Sequence, residues 1–193
     1  MKSMKKIKLL SLSLIATLVF SACSDDDDAP QVINEEEVIT TLNLFLTPEG
    51  GGEVVTFTYR DLDGDGSNPE ISSPALSANT SYTGRVEFLN ELENPAEDIT
   101  IEVLEEAEDH QVFYILEDSL NATPASYTGA LDNNGNPIGV EFSLEIGDAS
   151  QGNLTVILIH EGDKNAPGAF EGNLSNEVGG ETDIEVTFNV TVE

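Results

Sequence analysis

Apolar and polar residues alternate with a period of two along most of the chain beyond residue 37. The clearest run covers 138–146, where every second residue from Val140 to Ile146 is apolar and the residues between them are polar. This pattern is typical of strands that bury one face. The run at 153–160 is apolar on both faces, which indicates a central strand. Six further segments are predicted strands: 38–46, 55–59, 82–89, 111–116, 122–130 and 184–192.

The segment "NPAEDITIEVLEEAEDH" at 94–110 has a helical pattern instead. Asn94 suits an N-cap, Pro95 the first helical position and Glu97 the capping-box position. Apolar residues then recur at helical spacing at Ala96, Ile99, Val103 and Ala107. The spacing predicts one helix over about 95–109, with His110 at its end.

About eight short strands, separated by turns rich in Gly, Asn, Pro and Asp, favour a sandwich or a barrel. Strands and helices do not alternate, which disfavours a parallel α/β sheet. We therefore predict a mainly β protein, an Ig-like antiparallel β-sandwich with one short helix, as a single domain over 37–193.

A targeting segment is predicted over 1–22. Four lysines precede an apolar stretch from Leu9 to Phe20, which is too short for a lasting membrane span of about 20 residues. Small residues then lead to Cys23, the only cysteine, so no disulfide can form within the chain. The segment resembles a bacterial lipoprotein signal, which implies lipidation of Cys23. The alternative is an ordinary secretory signal followed by a free thiol.

Four aspartates follow the cysteine at 25–28 and open an acidic tether over 23–36. Repulsion between like charges favours an extended, solvated segment. The run also resembles the acidic tag that directs Bacteroidetes lipoproteins to the outer face of the outer membrane. We expect a lipid-anchored protein that faces the cell exterior, with the periplasmic face as the alternative.

The charge of the predicted mature chain is strongly negative. Four of the seven basic residues lie in the leader, so three remain against 37 acidic residues, a net charge of −34. Such a surface repels nucleic acids and anionic lipids and attracts cations. We therefore expect no nucleic-acid partner.

The segment "RDLDGDGSNPE" at 60–70 matches the start of a calcium loop. Carboxylates at Asp61, Asp63 and Asp65 converge when the backbone curls, and Gly66 permits the bend. Glu70 is the nearest candidate for the remaining acidic ligand, although it comes two residues earlier than in an EF-hand. A structural calcium ion is the favoured interpretation, and an acidic turn is the alternative.

The two histidines of the chain, His110 and His160, could meet if the end of the helix packs against the end of the central strand. With carboxylates from Glu106, Asp109 or Glu161, they would form a zinc or other transition-metal site. Two ordinary histidines at the ends of secondary-structure elements are the favoured interpretation, and the metal site is the alternative.

The remaining motifs are few. "DSL" at 118–120 resembles the short Bacteroidetes O-glycosylation motif, which implies modification of Ser119. The chain contains no GxSxG, HExxH or GxxxxGK pattern, and we predict that it is not an enzyme.

The leader, "AEDITIEVLEEAEDHQVFY", "LIHEGDKN" and "GGETDIEVTFNVTVE" together resemble small acidic surface lipoproteins of flavobacteria. Some of these carry the label "type 1 periplasmic binding fold", which denotes two α/β lobes, whereas the pattern here predicts a sandwich. The resemblance implies a role beside a TonB-dependent outer-membrane receptor. We expect an accessory binding module for nutrient or metal uptake. A structural or adhesion protein without a small ligand is the alternative, and the oligomeric state stays open.

Overall fold

The strands of the protein form two antiparallel sheets. The computed structural model describes residues 37–64, 66–123 and 125–193. The larger sheet has the strand order β3-β2-β1-β4-β8-β7, with β5 paired to β4, and the smaller has the order β10-β9-β6. The strands are β1 (Thr41–Pro48), β2 (Val55–Arg60), β3 (Glu70–Ser72), β4 (Thr80–Asn90), β5 (Glu97–Asp98), β6 (His110–Leu116), β7 (Ser126–Tyr127), β8 (Glu141–Ile146), β9 (Ser150–His160) and β10 (Glu181–Val192).

Aromatic contacts between the sheets mark the main core. Phe57 of β2 meets Phe188 of β10 with ring centroids 5.4 Å apart, and Tyr114 of β6 meets Phe142 of β8 at 4.0 Å. The alternating apolar residues of β1, β4, β8 and β10 fill the space between the sheets. The predicted antiparallel β-sandwich is confirmed, because the alternation places one face of each strand in a shared core.

The smaller sheet is buried on both faces. Its inner face belongs to the main core, while Phe113, Ile157 and Ile159 on the outer face pack against Ala166, Ala169 and Val178 of the segment 161–180. This covering explains why β9 is apolar on both faces. The prediction that β9 is a central strand is confirmed, since it lies between β10 and β6.

The one helix in the described part of the chain, α1 (Ile99–Glu105), is shorter than the predicted 95–109. Glu97 and Asp98 pair with β4 as a short strand, so the helix begins later, with Asp98 rather than Asn94 as its N-cap. The Asp98 carboxylate accepts the N–H of Thr100 at 3.1 Å. The hydroxyl of Thr100 in turn accepts the N–H of Phe88 at 2.9 Å and fixes the helix against β4.

The ends of several strands also differ from the prediction. The first strand begins at Thr41, and Val38 is exposed. His110 begins β6 and does not end the helix. β3 and β5 were not predicted, because two or three residues are too few to show a period. Among the described residues, no helix has the length and apolar character needed to span a membrane.

Candidate metal centre

The two histidines face each other across neighbouring strands. His110, the first residue of β6, pairs directly with His160, the last residue of β9. The imidazole rings are stacked, with centroids 4.6 Å apart and an angle of 11° between their planes. Both rings are buried, because each histidine lies on the inward-facing side of its strand. His110 precedes the buried Val112 by two residues in β6, and His160 follows the buried Leu158 by two residues in β9. The antiparallel register therefore creates a histidine pair at one end of the sandwich.

Asp183 reaches this pair through an irregularity in β10. The register between β10 and β9 shifts between Thr182 and Ile184, so Asp183 is the extra residue of a β-bulge. Bulges redirect a side chain that regular alternation would point elsewhere. The Asp183 side chain is fully buried, with Oδ2 at 3.8 Å from His110 Nε2 and Oδ1 at 3.9 Å from His160 Nδ1.

Glu37 supplies the fourth side chain from the segment that precedes β1. Its Oε1 lies 2.8 Å from His110 Nε2, and only 2% of the side chain is exposed. Within the described residues, the other oxygen, Oε2, is buried and has no hydrogen-bond partner. An unsatisfied buried carboxylate oxygen is costly, and an ion is one of the groups that commonly satisfies it.

Both ring nitrogens of His110 face oxygen atoms. Nδ1 lies 3.3 Å from the carbonyl oxygen of Glu106, opposite the side on which Nε2 faces Glu37. A neutral imidazole has one N–H, so a donor at Nδ1 leaves a lone pair on Nε2. A carbonyl that accepts the N–H of a histidine is the usual outer partner of a metal ligand, because it orients the ring and fixes the tautomer.

These four side chains are the candidate ligands of one metal ion. Within the described residues, Glu37, His110, His160 and Asp183 form the one group of its kind, with ligand atoms all within 4.8 Å of one another. Tetrahedral zinc with bonds of about 2.0–2.1 Å needs ligand atoms roughly 3.3 Å apart. Binding would therefore draw the more distant ligand atoms together and slightly separate Glu37 Oε1 from His110 Nε2, which lie 2.8 Å apart. Two carboxylates and two neutral imidazoles also balance the charge of a dication, which removes the penalty of burying two negative charges.

The acidic ligands predicted from sequence lie elsewhere. The structure brings His110 and His160 together, but the carboxylates of Glu106, Asp109 and Glu161 are not part of the group. Asp109 and Glu161 are exposed and are joined through their backbones, since the Glu161 N–H donates to the Asp109 carbonyl at 2.7 Å. Glu106 contacts His110 only through its backbone carbonyl oxygen, which lies 3.3 Å from Nδ1 of the ring.

The predicted calcium loop is organised by hydrogen bonds. Asp61 accepts hydrogen bonds from the N–H of Gly64 at 3.2 Å and from the N–H of Gly66 at 2.8 Å. These hydrogen bonds lower the pKa of Asp61, and the one from Gly66 has the largest effect. Glu70 is exposed and lies 3.9 Å from the guanidinium of Arg60.

The positive charge of Arg60 therefore disfavours binding of a cation by Glu70. Asp65 lies outside the described residues, and Asp63 lines the same surface depression as Asp61. Calcium binding here stays a prediction.

Two predicted modification sites have different positions. Ser119 is exposed in a turn after β6, where a sugar would be accessible. Cys23, the leader and the acidic tether lie outside the described residues.

Sequence reasoning missed Glu37 and Asp183. Asp183 directly precedes the alternating run of the last strand, and the bulge that turns it inward has no signature in the sequence. Glu37 is the last of three consecutive glutamates, and nothing in that run distinguishes it from its neighbours. The inward position of both histidines could have been read from the alternation of β6 and β9.

Comparison of the chain with models of protein families, with curated proteins and with solved structures found no match.

Proposed function

We propose that the domain binds one divalent transition-metal ion, best matched by zinc, at the centre formed by Glu37, His110, His160 and Asp183. The observation that carries this proposal is the meeting of both histidines of the chain with two buried carboxylates. We further propose that the protein is a non-catalytic, lipid-anchored accessory protein of the outer membrane.

The chemistry of the ligands favours zinc over calcium or magnesium. Imidazole nitrogens suit zinc, copper, iron and nickel, whereas calcium takes six to eight oxygen ligands and magnesium keeps several waters. Four protein ligands also complete a tetrahedron and leave no position for a substrate or a water. A closed set of this kind supports holding an ion rather than catalysis.

The cellular part of the proposal is supported by the sequence. Lipidation at Cys23 and the acidic run after it favour an anchor at the outer membrane, with the domain facing the cell exterior. The resemblance to flavobacterial lipoproteins suggests that the protein works beside a TonB-dependent receptor. In that setting, the centre would hold a metal ion close to the route of uptake.

Metal analysis of the purified mature protein tests the centre. After zinc loading and removal of excess metal, we expect one ion per chain. His160→Gln and Asp183→Asn should each lower the affinity by more than about 100-fold, because the loss of a direct ligand exceeds the cost typical of its outer partners. Far-UV circular dichroism verifies that the variants fold.

Two matched control variants are available at the same end of the domain. Asp109→Asn and Glu161→Gln remove carboxylates close to the histidines along the chain but outside the centre, and zinc affinity should be unchanged. An equal loss in the controls would place the ligands elsewhere. If the wild-type protein binds no transition metal, the proposal fails and the structural or adhesion role becomes the better one.

The proposed partner is tested separately. Cross-linking in intact cells, followed by purification of the lipoprotein, should recover a TonB-dependent receptor. Deleting the lipoprotein should slow growth under zinc limitation, and a chain with His160→Gln should not restore growth. Restoration by that variant would separate the role in uptake from the metal centre.

A further inference from the structure

Three of the four side chains at the centre are fixed by strands. His110 and His160 lie in the ladder between β6 and β9, and Asp183 lies in the bulge of β10 against β9. Displacing the backbone at any of them requires breaking hydrogen bonds of the smaller sheet. These three ligands therefore form a rigid half of the centre.

Glu37 is attached differently. It precedes β1, and the first backbone hydrogen bond in the described part of the chain is the one that Thr40 donates to the Leu89 carbonyl at 3.0 Å. Val38, between them, is 54% exposed, and only Ile39 packs partly against the core. Among the described residues, few contacts hold this segment, which favours a low free-energy cost of opening it.

The Glu37 carboxylate is poorly compensated without an ion. In the absence of an ion, and within the described residues, its Oε1 accepts one hydrogen bond, from Nε2 of His110, while Oε2 accepts none. A buried carboxylate in this setting is costly, since charge is favourable in the interior only when it is paired and fully hydrogen-bonded. A dication removes this penalty, so its presence shifts the segment towards the docked position.

We infer that Glu37 is the exchangeable ligand of the centre, so that an ion enters and leaves as Glu37 undocks and docks. This inference rests on the proposed metal site. With Glu37 displaced, His110, His160 and Asp183 keep three ligands and one open position, which is the arrangement of an accessible metal site. Loading thereby fastens residues 37–39, where the predicted tether meets the domain, and release of the ion frees them.

Zinc dissociation and backbone order in the mature chain test the inference together. Dissociation is followed by transfer of zinc to an excess of a chromogenic chelator, in the wild type, in Glu37→Gln and in the control Glu161→Gln. We expect Glu37→Gln to bind zinc through the three remaining ligands and to release it at least about 10-fold faster. The control should match the wild type.

Backbone order is measured by ¹⁵N relaxation at Val38 and Ile39. In the wild type, we expect the order parameters to rise on zinc loading from below about 0.6 to about 0.85. In Glu37→Gln, zinc should leave them low.

The possible outcomes separate the two proposals. Absence of zinc binding in the wild type overturns both. Zinc binding with equal dissociation rates in wild type and Glu37→Gln, or with order at residues 38–39 that does not respond to zinc, overturns only the exchangeable role of Glu37. Complete loss of binding in Glu37→Gln overturns it as well, because the other three ligands would then be insufficient.

Discussion

Replacing Lys164 by Met tests how the segment that covers the smaller sheet is held in place. The Lys164 side chain is 4% exposed, and its ammonium donates to the carbonyl oxygens of Ala107 and Pro137 and lies 3.4 Å from Asp132 Oδ2. Burial lowers the pKa of Lys164, an effect that the attraction of Asp132 partly offsets. One side chain thus joins the segment after α1, the turn at 131–137 and the segment after β9.

Asp132 also accepts hydrogen bonds from groups other than Lys164. It accepts the N–H groups of Asn134 and Asn136, both at 2.8 Å. Burial raises the pKa of Asp132, but these hydrogen bonds and the attraction of Lys164 outweigh burial and lower it. The carboxylate would therefore remain charged and partly satisfied if Lys164 were removed.

The expected costs in the free energy of unfolding depend on the hydrogen bonds that each remaining partner keeps. Removing one partner of a buried pair generally costs about 3–5 kcal/mol, because the other charge remains buried. Since Asp132 keeps two N–H donors, we expect Lys164→Met to cost about 3 kcal/mol, at the low end of that range. Asp132→Asn should cost about 2 kcal/mol, because Lys164 keeps two carbonyl acceptors. Both changes remove the same attraction, so the double variant should cost about 1–2 kcal/mol less than the sum.

Urea unfolding at pH 7, followed by circular dichroism, gives the free energies of unfolding for the wild type, both single variants and the double variant. If the free energy of unfolding falls with urea concentration at the same slope in all four proteins, the variants unfold between comparable states. A cost below about 1 kcal/mol for Lys164→Met would refute the reasoning. Strictly additive costs would also contradict it, because the pair would then carry no coupling energy.

Three further predictions concern the larger sheet and its loop. Gly84→Ala should cost about 1–3 kcal/mol in urea unfolding, because a Cβ would lie 2.2–2.6 Å from ring atoms of the fully buried Phe142. Hydrogen bonds from Arg60 lower the pKa of Glu91 from 4.5 to about 2. The ionised Glu91 therefore stabilises the folded state fully above pH 4.5, and this contribution is lost as the pH falls through about 2. Thermal unfolding from pH 6 to pH 2 should show this loss, on the order of 1 kcal/mol for a partly exposed pair, and Glu91→Gln should flatten it. Calcium should raise the melting temperature, and Asp61→Asn should abolish the rise; a melting temperature that ignores both calcium and chelator would mean that the loop is only a turn.

Alternation predicted the strands well where a strand is long and has one buried face. In β10, the apolar residues from Ile184 to Val192 all face the core, so the pattern and the burial agree. The edges of the sheets were less predictable. β7 contains only Ser126–Tyr127 of the predicted 122–130, because these two residues form a continuous ladder with β8, whereas Ala122 makes only an isolated bridge to Ile146.

The beginning of the helix shows a competition that local signals cannot resolve. Asn94, Pro95 and Glu97 form a plausible capping sequence, yet Glu97 and Asp98 pair with Leu89 and Asn90 of β4. Strand pairing occupies the residues that would have formed the first helical turn. The choice depends on a neighbouring strand that local sequence does not reveal.

The candidate metal centre was predictable in part for a similar reason. Sequence indicates which residue types suit a metal, and it identified both histidines. It also favours ligands close along the chain, which led to Glu106, Asp109 and Glu161. The observed carboxylates come from the segment before β1 and from β10, and only the register of the sheets brings Glu37 and Asp183 to the same end.

If the proposed centre holds zinc, the acidic surface and the buried ligands would have different roles in binding the ion. A net charge of −34 in the predicted mature chain attracts every cation. At 0.1 M salt, this attraction is largely screened beyond about 10 Å. The surface can therefore raise the local concentration of ions but cannot select among them. Selection requires ligands that calcium and magnesium use poorly, and the two imidazoles are such ligands.

The two roles respond differently to ionic strength. Added salt should slow the association of zinc, because steering by the surface charge is screened, while the dissociation rate from the buried ligands should change little. Stopped-flow measurement of both rates over a range of salt concentrations separates the contributions. A dissociation rate that rises as steeply as the association rate falls would mean that the ion is held by exposed carboxylates and not by His110 and His160.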